Sequence, residues 1–83
     1  MVLLTRFFRE RKLKRVLAGA LDAERQRIGP EQTGYIQEFL DEGEFGLAHD
    51  QLIDALADLE LDPTDRAAAQ LLEARRLMHM DKP

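Results

Sequence analysis

The sequence predicts an all-α fold, a small compact bundle of about four helices. Only eight of its 83 residues are β-branched (Val2, Thr5, Val16, Ile28, Thr33, Ile36, Ile53 and Thr64), whereas Ala and Leu are abundant. No segment of useful length alternates apolar and polar residues as a half-buried strand does. Apolar residues recur instead at helical spacing, between short stretches of Gly, Pro and Asp. The length suits a single domain spanning residues 1–83, with a basic long helix over 1–28 and an acidic three-helix portion over 30–78.

The first helix is expected over about residues 3–28, with Leu13, Val16, Leu17, Ala20, Leu21 and Ile28 in one stripe that Phe7 and Phe8 extend. Gly29-Pro30 ends it, because the residue before a proline avoids the helical region. A second helix runs from about Glu31 to Glu42 with Tyr35, Ile36, Phe39 and Leu40 inward, and Gly43 closes it as a left-handed cap. The third begins near Glu44–Gly46 and ends near Leu59, with Phe45, Ala48, Leu52, Ile53, Leu56 and Leu59 facing one way. Glu44 there suits the helix dipole, and the bare Gly46 lets a neighbouring helix approach. A fourth helix starts in Leu61-Asp62-Pro63-Thr64-Asp65, with Asp62 as N-cap and Pro63 at the first position. It reaches about Met78, burying Ala68, Leu71, Leu72, Arg75 and Met78.

Composition excludes much chemistry. The chain has no Cys, so disulfides and thiolate metal sites are out of reach, and it has no Ser, Asn or Trp. His49 and His79 are far apart, belong to no catalytic or zinc motif, and read as solvent-facing or partly packed side chains. A calcium loop starting at Asp41 fails, since Gly43, Phe45 and Leu52 fall where oxygen ligands are needed. The expectation is no catalytic residue, no cofactor, no metal and no enzyme. The N-terminus MVLLTRFFRERKLKR lacks a long apolar run and a cleavage site, and no stretch approaches the ~20 apolar residues of a membrane span. A cytoplasmic protein is expected.

Charge is unevenly divided. Residues 1–28 hold eight Lys/Arg and three Asp/Glu, a net +5, and residues 29–83 hold four and thirteen, a net −9. In RFFRERKLKR, residues 6–15, six cations flank two aromatics; a solvated helix face is the plainer reading and a membrane-surface or nucleic-acid patch the sharper one. Asp50, Asp54 and Asp58 recur every fourth residue, a spacing that costs a few tenths of a kcal/mol per pair. No Lys or Arg between Arg27 and Arg66 relieves them, and Glu38, Asp41, Glu42 and Glu44 strengthen the field. Such a field serves solubility, or it matches a cationic partner.

The stretch FLDEGEFGLAHDQLIDAL, through Phe39, Gly43, Glu44, Phe45, Gly46, Leu47, Ala48, Leu52 and Leu56, resembles small helical immunity proteins of bacterial polymorphic toxin systems, of the MafI and contact-dependent growth inhibition kind. The likeness covers about residues 31–78, and Gly-Glu-Phe-Gly-Leu-Ala is its specific part; the basic run in the first helix departs from the pattern. It implies a protein that binds one cognate toxin C-terminal domain, a basic nuclease, as a 1:1 complex, with no direct nucleic-acid or membrane partner. In this reading Gly43, Glu44, Phe45 and Gly46 are structural, and toxin contacts fall on Glu38, Asp41, Glu42, Asp50, Asp54 and Asp58. A helical adaptor or regulatory protein using the same acids on a basic partner is the alternative.

Overall fold

A computed structural model describes the backbone of residues 2–79 and the side chains from Thr5 onward; Asp81 and Lys82, which enter the charge tally, lie outside the described residues. Those residues form α1 (Val2–Asp41), α2 (Phe45–Asp58) and α3 (Asp65–Leu77), with no strand among them. The all-α expectation holds, but the helices number three rather than about four. The two helices expected on either side of Gly29-Pro30 abut without a loop, since Gly29 alone absorbs the change of direction at φ 87° and ψ 169°. An L side chain strongly resists that conformation.

α1 therefore acts as two arms, residues 2–28 and 30–41, folded back on each other. Lys14 Nζ lies 3.7 Å from Asp41 Oδ1, and Thr33 Oγ1 donates to the Arg25 carbonyl at 3.5 Å. α2 returns along the second arm, where Gln51 Nε2 donates to Gln32 Oε1 at 2.7 Å. α3 runs antiparallel to the first arm, with Arg66 4.0 Å from Asp22 and Lys12 3.7 Å from Glu73. The first arm spans ~40 Å at 1.5 Å per residue, close to the 42 Å long axis of the molecule.

Both short turns rest on the same device. Glu44 N–H reaches the Phe39 carbonyl at 2.8 Å and Gly43 N–H the Leu40 carbonyl at 3.2 Å, with Gly43 left-handed at φ 76°. This is the Schellman closure expected of a C′ glycine. At the end of α2, Leu61 N–H bonds the Leu56 carbonyl and Glu60 N–H the Ala57 carbonyl, but here Glu60 carries the positive φ, 55°.

The core joins Leu13, Val16, Leu17, Ala20, Leu21, Ile28, Ile36 and Leu40 of α1 to Ala48, Leu52, Ala55 and Leu56 of α2 and Leu71 and Ala74 of α3. Several inward assignments change. Phe7 and Phe8 are exposed: followed toward the N-terminus by three and four residues, the stripe through Leu13 meets Glu10, Arg9 and Arg6, so it stops there. Tyr35 and Ile53 are also exposed, on the flanks of stripes centred on Ile36–Leu40 and on Leu52, and so is Leu59, which is in line with Leu52 but lies past the end of α2 as its C-cap.

α3 starts later than expected. Thr64, not Asp62, is the N-cap, its hydroxyl accepting from Ala67 N–H at 3.1 Å, and Pro63 precedes the helix. The buried set becomes Ala67, Leu71 and Ala74, with Met78 partly covered and Ala68, Leu72 and Arg75 exposed. Gly46 has nothing within 4 Å of a would-be Cβ, so no helix approaches it. The close approach falls at Gly19, where a Cβ would lie 2.9 Å from Gln70 Nε2.

Candidate functional site

The six acids expected to meet a partner are all exposed, but they form two groups. On α2 the buried positions Ala48, Leu52, Ala55 and Leu56 define the inner side. At 100° per residue, Asp50 and Asp54 fall roughly opposite it and Asp58 beside them. Asp54 and Asp58 have no ion pair among the described residues. Asp50 accepts from His49 at 2.9 Å through Nδ1. A carboxylate only accepts, so that contact sets the proton on Nδ1.

Glu38, on the second arm of α1, and Glu42, just past its end, border a groove of about 370 Å³ completed by Tyr35, Phe39 and Gln51. Gln51 belongs to α2, so this groove joins the acidic sides of both elements, and Tyr35 offers it a half-exposed ring. Asp41 separates from the group. It points to the first arm, holding Lys14 at 3.7 Å and accepting from Gln37 Nε2 at 3.0 Å, and it lines a different groove with Phe7, Lys14 and Phe45.

The Gly-Glu-Phe-Gly segment is chiefly a turn. Gly43 closes α1; Glu44 precedes α2 with no side-chain cap, its carbonyl accepting from Ala48 N–H at 3.0 Å; Phe45 is half-buried against the core. Gly46 is exposed and simply occupies the first turn of α2.

Two polar residues escaped the sequence reading. His49, expected to be solvent-facing or partly packed, is buried at 3% exposure, and its Nε2 has no hydrogen-bond partner among the described residues. Glu24 is fully buried, accepting from Thr64 N–H at 2.7 Å and from Arg27 Nη1 at 2.9 Å. Arg27 Nη2 in turn donates to the Asp62 carbonyl at 2.8 Å, so the pair clamps the loop that launches α3. The one hint in the sequence is position: Glu24 continues the stripe of Leu13, Leu17, Ala20 and Leu21. Neither residue assembles a reactive centre, and the described residues contain no cluster of three His, Asp or Glu able to hold a metal. No described helix is long and apolar enough to cross a membrane.

No family model matches the chain, and no curated protein or solved structure matches it.

Proposed function

We propose that this chain is an immunity-type protein: it binds the basic toxin domain of a bacterial polymorphic toxin system, a nuclease, and neutralises it by stoichiometric occupancy rather than by catalysis. The observation that carries the reading is the outward column Asp50, Asp54 and Asp58, beside the Glu38–Glu42 groove. Like charges at this spacing oppose the helix they sit on, and among the described residues Asp54 and Asp58 have no ion pair, so the fold gains nothing from these two, whereas Asp50 accepts from His49. A cationic surface would gain, in association rate and in discrimination among partners. Tyr35 at the groove supports the same reading, because an aromatic ring ringed by acids suits an interface with a basic protein.

Within this proposal the contact set contracts to Glu38, Glu42, Asp50, Asp54 and Asp58, with Asp41 committed to Lys14 inside the molecule. The test is rescue. The toxin domain encoded beside this chain is expressed with and without it, while growth and nucleic acid integrity are followed. Rescue by the native chain and its loss in Asp54→Lys with Asp58→Lys are expected. A harmless neighbour, or failed rescue with both proteins soluble, overturns the immunity reading in favour of a helical adaptor acting on another basic protein.

A further inference from the structure

The opposite charge gathers at one end of the bundle. α1 begins there with Arg6, Arg9, Arg11, Lys12, Lys14 and Arg15, all exposed. α3 ends there: the Lys12–Glu73 contact fixes the antiparallel level, so Arg75 and Arg76 lie about level with Lys12, Arg76 on the outward side of α3. The net −9 of the acidic portion hides these two cations, and only the chain's return brings them to the first helix. Arg6, Lys12, Lys14 and Arg76 have carboxylate partners at 3.0–3.7 Å. Arg9, Arg15 and Arg75 have none among the described residues. Amid this collar stand Phe7, 53% exposed, and Phe8, 57% exposed, rotated roughly 110° and 150° from the core stripe.

We propose that this end adsorbs to anionic lipid bilayers, with Phe7 and Phe8 entering the boundary between headgroups and acyl chains and the cations bound among the headgroups. An apolar tip behind which Lys and Arg cluster is the arrangement that partitions into such an interface. Nucleic acid fits less well. The two rings meet edge to face at 5.9 Å with 67° between planes, and the Arg11 guanidinium covers Phe7 at 5.6 Å. They form a knob rather than open parallel faces for stacked bases. The cations gather on the first half of one helix arm, with the Asp41–Phe45 turn against Phe7 and Asp41 held by Lys14, rather than tracking a strand, and the acids along α2 repel a polyanion lying against the body. A bilayer meets the molecule at one end, and since α2 starts beside Phe7 and runs away from it, Asp50, Asp54 and Asp58 lie progressively farther from that surface. The inference departs from the expectation of no membrane partner and does not rest on the toxin reading.

The test is cosedimentation of the full chain with vesicles of phosphatidylcholine alone or with about 30% phosphatidylglycerol, with a single-stranded oligonucleotide titrated in parallel. Binding is expected to the anionic vesicles, at least tenfold stronger than to neutral ones, and largely lost at about 500 mM salt. Phe7→Ser with Phe8→Ser reduces it about tenfold or more with the helical circular dichroism unchanged, the rings being outside the core. Arg9→Glu with Arg75→Glu reduces it more than tenfold, each cation near the surface contributing roughly fivefold. Since the chain has no Trp, Phe8→Trp supplies a fluorophore whose emission shifts blue on anionic vesicles. No binding at low salt, equal binding by the Ser variant, or an unshifted emission from the Phe8→Trp variant overturns the proposal. So does tighter binding to the oligonucleotide than to the vesicles.

Discussion

Replacing Glu24 by Ala removes the clamp on the loop between α2 and α3. Glu24 is fully buried and holds two donors, the Thr64 N–H at 2.7 Å and the Arg27 guanidinium at 2.9 Å. Leaving the Thr64 donor unsatisfied costs about 1–3 kcal/mol. Breaking a buried ion pair costs about 3–5 kcal/mol when the remaining charge stays buried, but the Arg27 side chain is 32% exposed and water reaches it, so that contribution is cut heavily. The lost γ-methylene adds about 1 kcal/mol. With overlap among these contributions, about 3 kcal/mol is expected, a large share of the roughly 4–12 kcal/mol typical of a domain this size. The corresponding fall in melting temperature is about 12–24 °C.

Urea unfolding followed by circular dichroism measures this directly, with an unchanged m-value confirming that the same surface unfolds. Glu24→Gln keeps an acceptor for Thr64 and should lose about half as much. Arg27→Ala completes a double-mutant cycle, in which the two losses should fall short of additive by about 1 kcal/mol or more. A loss below about 0.5 kcal/mol in Glu24→Ala, no larger than at an ordinary surface acid, would refute the idea that this carboxylate secures the start of α3.

Glu60, left-handed at φ 55° where Gly43 does the same task at φ 76°, should become more stable by about 1 kcal/mol as Glu60→Gly, whereas Gly43→Ala should lose about 1 kcal/mol; paired thermal melts decide both. Thr64→Ala removes the N-cap bond to Ala67 and should cost about 1 kcal/mol in the same urea assay. Gly19→Ala gains helix propensity and meets only the mobile end of Gln70, so a stabilisation of about 0.5 kcal/mol is expected, and a loss above about 1 kcal/mol would mean that Gln70 has no room to move. Asp54→Lys separates fold from function: relieving the repulsion with Asp50 and Asp58 should leave stability unchanged or a few tenths of a kcal/mol higher, while stopped-flow association with a basic partner slows about tenfold at low salt and converges with the native chain at high salt.

The all-α class, the left-handed role of Gly43 and the end of α2 near Leu59 were legible because each depends on neighbours within a few residues: helix propensity, the conformational freedom of glycine, and hydrophobic spacing. Outside assignments were harder at stripe edges. Tyr35, Ile53 and Leu72 are apolar residues one step off the buried rows, and whether such a position is covered depends on how wide the neighbouring helix is there; Leu59 keeps the row of Leu52 but lies past the end of α2. The start of α3 was displaced because Asp62-Pro63 and Thr64-Asp65 both carry capping signals; Thr64 is the cap in a loop held by Glu24 and Arg27, forty and thirty-five residues away from their partners.

The sequence by itself determined that the chain is helical, that Gly43 closes the turn before α2 and that its charge is divided, since these follow from local conformational preference and composition. Only the tertiary structure decided that Gly29 folds one helix back on itself, that Glu24 and His49 lie inside, and that Asp41 leaves the acidic group for Lys14. It alone brought Arg75 and Arg76 level with the basic part of α1. The physical reason is range: a cap or a helical stripe is settled within two turns of chain, but the partner of a buried or charged group is chosen by antiparallel packing between residues up to about sixty positions apart.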